Sequence, residues 1–126
     1  MAHTPFLQVV PQRHKTDCSV ACLAMLLGVS YEKALLAVRV ERVLTHGVMV
    51  RQVLAGAKRL GKPLTFRRTF DLESDTGILG IRSQVWPMEH LVVLKDGLIV
   101  DTDATIWEWD VFMSAYSAKA ISLLTL

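Results

Sequence analysis

Apolar positions follow two regimes along the chain. As far as Gly61 they recur with helical spacing, and beyond Pro63 they alternate or fall in short blocks. The run Cys18-Ser19-Val20-Ala21-Cys22-Leu23-Ala24-Met25-Leu26-Leu27 is apolar on nearly every face, which predicts a central, buried helix. Asp17 stands where its N-cap belongs and Gly28 where its C-terminal cap belongs. Ahead of it, Val9-Val10-Pro11 ends an extended entry segment and Gln12 to Thr16 is polar loop. Ser30 caps a second helix through about Val40, with Leu35, Leu36 and Val38 among its apolar positions. His46-Gly47 opens a third, roughly Val48 to Leu60, closed by Gly61 with Pro63 just beyond.

The second regime predicts strands. Leu64-Thr65-Phe66 begins one, Ile78-Leu79-Gly80-Ile81 is another, and Leu91 to Leu94 with Leu98 to Val100 form a hairpin around Asp96-Gly97. Trp107 to Tyr116 reads as a short helix or an irregular turn, and Ala120 to Leu124 as a closing strand. Helices first and an antiparallel sheet afterwards make an α+β domain. No internal repeat, linker or low-complexity segment interrupts the 126 residues, which suffice for one core. The expectation is one domain spanning residues 1–126.

Composition narrows the class. With 52% of residues apolar and 21% charged, the chain has the balance of a folded, soluble protein. A net charge of +2 is too small to imply a nucleic-acid partner, and the local cations Lys58, Arg59, Lys62, Arg67 and Arg68 read as a solvated face. No apolar run reaches the roughly 20 residues that span a bilayer, so no transmembrane segment is expected. Met1 to Val10 lacks a basic leader and a long apolar stretch, so no signal peptide is expected. Cys18 and Cys22 fall four apart on one helix face, where a bridge would distort the backbone. A reducing, cytoplasmic setting follows.

One cysteine is placed for chemistry. A thiol is a nucleophile only as thiolate, and a helix N-terminus supplies partial positive charge that favours the anion. Cys18 occupies such a position, whereas Cys22 lies one turn inward among Leu and Met as a core residue. A nucleophile also needs a base and a group that orients the base. His3, His14 and His46 lie in polar or terminal segments; His90 begins the apolar strand Leu91-Val92-Val93-Leu94, after the Trp86-Pro87-Met88-Glu89 loop. With Asp96-Gly97 as a two-residue turn, Lys95 pairs with Leu98, Val92 with Asp101 and His90 with Asp103. His90, Asp101 and Asp103 then share one face, and either carboxylate can accept from the imidazole. The three tryptophans read as core.

The segment from Gln12 to Leu27, with Asp17-Cys18 and Ala21-Cys22-Leu23-Ala24-Met25-Leu26-Leu27, resembles the active-site segment of the bacteriocin-processing, double-glycine-type peptidases of the papain-like superfamily. Gly47-Val48 with Ala57-Lys58-Arg59-Leu60-Gly61 resembles that family's mid-domain helix, His90 to Leu94 its histidine strand, and Ile99-Val100-Asp101 its acid strand. The likeness runs from about Val10 to Asp103, in the family's order. Two positions depart from it: Ser19 stands where the family usually has Gly, and Thr102 where the acid is commonly followed by Pro.

The resemblance implies a papain-like fold and hydrolysis of a peptide bond in a peptide or protein substrate. Cys18 would be the nucleophile, His90 the general base and later acid, Asp101 the orienting carboxylate, and Gln12 an oxyanion-hole amide. No metal or organic cofactor is expected. Two other classes share the same residues: a peptidase-like binding module without turnover, which Ser19 beside the nucleophile would allow, and a thiol enzyme that passes the acyl group to an amine.

Overall fold

The apolar run after Asp17 forms helix α1 (Cys18–Leu27), with every residue from Ser19 to Met25 buried and Leu27 with them. Gly28 ends it in the left-handed conformation at φ 69°, and its N–H returns to the Ala24 carbonyl. Glycine reaches that φ without steric penalty. The computed structural model of the chain describes residues 8–14, 17–38, 50–86 and 89–126. The expected start of the third helix at His46-Gly47 and end of the second at Val40 lie outside the described residues.

Helix α2 (Tyr31–Val38) begins at Ser30, whose hydroxyl accepts the Lys33 N–H at 3.1 Å. This is the expected N-cap. Helix α3 (Val50–Arg59) packs against α1 and α2. A Cβ at Gly56 would stand 3.3 Å from the Val38 side chain, so a glycine lets α3 approach α2. Lys62, just beyond α3, donates from Nζ to the Leu27 carbonyl at 3.0 Å and satisfies part of the last turn of α1.

The strands are β1 (Thr65–Arg67), β2 (Gly77–Arg82), β3 (His90–Lys95), β4 (Leu98–Val100), β5 (Ile106–Glu108) and β6 (Lys119–Thr125). They form one sheet in the order β1-β6-β2-β3-β4-β5, with every neighbouring pair antiparallel. The turn at Asp96 (φ 52°) and Gly97 (φ 76°) has both central residues left-handed, and Lys95 pairs with Leu98 in the expected register. The architecture among the described residues is α+β, with four helices and six strands.

Both sheet faces are covered, which is why the strands read as continuous apolar blocks. Ile78, Leu91, Val93, Val100 and Leu124 pack with α1, α2 and α3 in one core. Leu79, Ile81, Val92, Leu94, Ile99 and Leu123 face the other way, beneath Phe112, Trp86, Trp107 and Tyr116. The segment read as a short helix or turn divides in two: β5 runs along the sheet edge, and helix α4 (Trp109–Ala115) follows and buries Phe112. No single helix among the described residues is long and apolar enough to cross a membrane.

Candidate active site

Cys18, a free and half-buried thiol, is the first residue of α1. The Asp17 carbonyl accepts the N–H groups of Val20 and Ala21 at 3.1 and 3.2 Å. The N–H groups of Cys18 and Ser19, one residue nearer the terminus, lie outside the intrahelical ladder. Cys22, one turn inward, is fully buried, and burial together with the nearby Cys18 and Asp101 pushes its thiol well up. It stays protonated and inert.

The Asp17 side chain does not cap α1 as the sequence suggests. Its carboxylate turns back and accepts the backbone N–H groups of Arg13 and His14, both at 3.0 Å, and the Tyr31 hydroxyl. Three donors converge on a fully buried anion, and charge-assisted bonds of this kind outweigh one cap bond. The result ties the loop carrying Gln12 to the start of the cysteine helix. Burial and the same carboxylate push the Tyr31 hydroxyl well above its ordinary range.

His90 opens β3 and donates its Nε2–H to Asp101 Oδ1 at 2.8 Å. The Cys18 side chain acts on the same ring and raises its proton affinity. With Nε2 held by Asp101, Nδ1 is the ring nitrogen left for the thiol. Burial lowers the proton affinity of this imidazole, but Asp101 and Cys18 outweigh it and raise the pKa from 6.5 to about 9. At neutral pH the ring is therefore an imidazolium, with Cys18 beside it.

The choice between the two carboxylates is resolved by the turn after β4. The ladder with β3 ends at Val93 and Val100; beyond it the Asp101 N–H bonds the Thr105 carbonyl at 2.9 Å, and Ala104 takes φ 73°. The chain reverses there instead of continuing beside β3. Asp103 therefore never comes opposite His90 and bonds the N–H and hydroxyl of Thr105 at the surface. Asp101, 5% exposed, takes both His90 and the Thr102 N–H, the latter at 2.7 Å.

Gln12 is strapped to the same turn. Its N–H donates to the Thr102 carbonyl at 2.8 Å, its Oε1 accepts from the Thr102 hydroxyl, and its Nε2 donates to the His14 carbonyl. An amide nitrogen carries two N–H groups, so the bond to His14 uses one of them. Ser19 is buried beside Cys18, not in an open cleft, and its hydroxyl has no partner among the described residues.

Two contributors escape sequence reasoning. Trp86 packs in the second core and also stacks on His90, with ring centroids 4.6 Å apart and planes at 22°. An aromatic face favours the charged imidazolium. Its position in the loop directly before the histidine strand was the available signal. Thr102 is the other, and the sequence marks it only as a departure from the family pattern. An open cavity of about 850 Å³, lined by residues such as Val85, Tyr116 and Lys119, includes none of Gln12, Cys18, His90 and Asp101. Among the described residues no group of three or more His, Cys, Asp or Glu is arranged to hold a metal ion. No family model matches the chain, and no curated protein matches it in sequence.

Proposed function

We propose that this protein is a papain-like cysteine peptidase that hydrolyses a peptide bond through a thioester on Cys18. The observation that carries the reading is the grouping of Cys18, His90 and Asp101, with the imidazole bonded to Asp101 at 2.8 Å and its pKa raised to about 9 by both neighbours. The likeness of the Gln12–Leu27 segment to the bacteriocin-processing peptidases agrees with it, as does a sheet packed behind the cysteine helix.

In the first step the Cys18 thiolate forms a C–S bond to the substrate carbonyl carbon, and the carbonyl electrons move to oxygen. The Gln12 amide and the Cys18 N–H would stabilise that oxyanion; losing one such donor costs about 2.7–4 kcal/mol. Collapse breaks the C–N bond, and His90 gives its proton to the departing amine. In the second step neutral His90 takes a proton from water, which attacks the thioester and releases the acid and the thiolate. Asp101 holds the ring orientation throughout. Such a thiol works in a reducing compartment, which accords with a cytoplasmic protein.

The test is to incubate the protein with a broad peptide library and look for an acyl adduct on Cys18 by mass spectrometry. The expected result is an adduct that decays to product, absent in Cys18→Ala and His90→Ala. Peptide that binds tightly but is never acylated points to the binding module instead. Product carrying an added amine points to acyl transfer.

A further inference from the structure

Three groups of one buried residue meet the site. Thr102, 1% exposed, donates its N–H to Asp101 Oδ1, accepts the Gln12 N–H on its carbonyl, and donates its hydroxyl to Gln12 Oε1. The first two bonds are made by backbone and would survive most substitutions. The third acts only on the side-chain amide of Gln12.

The identity of each end of that amide follows from its partners. The His14 carbonyl can only accept, so the end facing it is nitrogen. Oxygen therefore faces Thr102, and the hydroxyl must be the donor. Rotating the amide by half a turn would set Oε1 against the His14 carbonyl, oxygen to oxygen. With the hydroxyl in place, the amide is held at both ends; without it, Oε1 has no partner and only the Nε2 bond to the His14 carbonyl holds the amide, which can then swing about that single contact.

We infer that Thr102 is a positioning residue whose hydroxyl fixes the Gln12 side-chain amide so that its second N–H, the one not given to His14, is held for an oxyanion. The inference rests on the peptidase reading. It separates the two arms of the site. The backbone of Thr102 serves Asp101 and through it His90, and the hydroxyl serves Gln12 alone. Removal of the hydroxyl should impair steps that build an oxyanion and spare those that need only the thiolate.

Two probes divide along that line. p-Nitrophenyl acetate acylates a thiolate through a tetrahedral oxyanion and releases p-nitrophenolate. Iodoacetamide alkylates it by displacement of iodide at a saturated carbon, with no oxyanion. Thr102→Val, of nearly the same shape, should slow acylation of Cys18 roughly 10- to 100-fold and leave the alkylation rate and its pH profile unchanged. Thr102→Ser should restore acylation. In a Gln12→Ala background Thr102→Val should add nothing, since the two residues act as one unit. Thr102→Val with wild-type acylation, equal slowing of both reactions, or additive losses in the double variant would each overturn the role of Thr102 alone. A wild type alkylated at Cys18 but never acylated overturns the peptidase reading, and this role with it.

Discussion

Raising the pH from 6.5 to 9 should destabilise this protein, and His90 is the reason. Burial lowers its proton affinity, while Asp101 and Cys18 raise it, and the second effect wins: the pKa moves from 6.5 to about 9. The folded protein thus holds the proton more tightly than the unfolded chain. Below pH 6.5 both states are protonated and the whole stabilisation is present. As the pH rises the unfolded chain loses its proton first, the advantage shrinks, and above 9 it is gone. At about 1.36 kcal/mol per unit of pKa, the interval from 6.5 to about 9 sets a ceiling of about 3 kcal/mol. The His90 side chain is 13% exposed, so solvent screens this little. The buried Cys22 thiol adds loss in the same direction, but only once the pH enters the ordinary thiol range. Asp101→Asn isolates the His90 part, because it keeps an acceptor for His90 and Thr102 and removes the charge. In that variant His90 should titrate about 1–3 units lower, and the decline in stability should flatten. Imidazole NMR reads the titration, and urea unfolding at pH 6.5 and 9 reads the stability. A wild-type His90 that titrates at or below 6.5 would mean that burial wins, and the electrostatic account of this site would be refuted.

Iodoacetamide near neutral pH should modify Cys18 and leave Cys22 untouched, because only Cys18 has exposed surface beside an imidazolium; equal labelling by peptide mapping would contradict this. Phe112→Ala should cost about 3–5 kcal/mol, since its fully buried ring contacts Tyr116, Trp107 and Trp86 at centroid distances of 4.9, 5.7 and 6.3 Å. It should also weaken the Trp86 stack on His90, and urea unfolding with a loss below about 1 kcal/mol would contradict the packing argument.

What was legible in the sequence follows from what local chemistry determines. Asp96-Gly97 announces a tight turn because few residues accept two successive positive φ values, and the β3–β4 register followed from it. Ser30 capped as expected because its donor is three residues away. The reading failed where a partner was remote. Asp17 looked like a helix cap, but Tyr31, fourteen residues on, supplies one of the donors that draw its carboxylate the other way. Extending the hairpin register put Asp103 opposite His90, because nothing in Thr102-Asp103-Ala104 reveals that an alanine takes φ 73° and turns the chain. Strand β5 was missed because three exposed or half-buried residues at a sheet edge carry no period.

The polar bonds around Cys18 also bear on what the fold is for. They follow a ring: Asp17 holds His14, His14 holds the Gln12 amide, Gln12 holds Thr102, Thr102 holds Asp101 and Asp101 holds His90, whose ring is influenced in turn by Cys18, next to Asp17. The ring joins the loop before α1, the first residue of α1, the first residue of β3 and the turn after β4. Two of its members are buried carboxylates, 0% and 5% exposed. Removing each from water costs several kcal/mol, and apolar residues of similar size would serve stability as well or better. Position is what the carboxylates supply. Asp17 sets where the Gln12 loop stands relative to the thiol, and Asp101 sets the angle of the imidazole. Neither group needs to move when charge develops on a bound carbonyl, so that charge would meet donors already in place. Two buried carboxylates that fix the neighbours of a half-exposed thiol are what the proposed nucleophilic catalysis would need from this site.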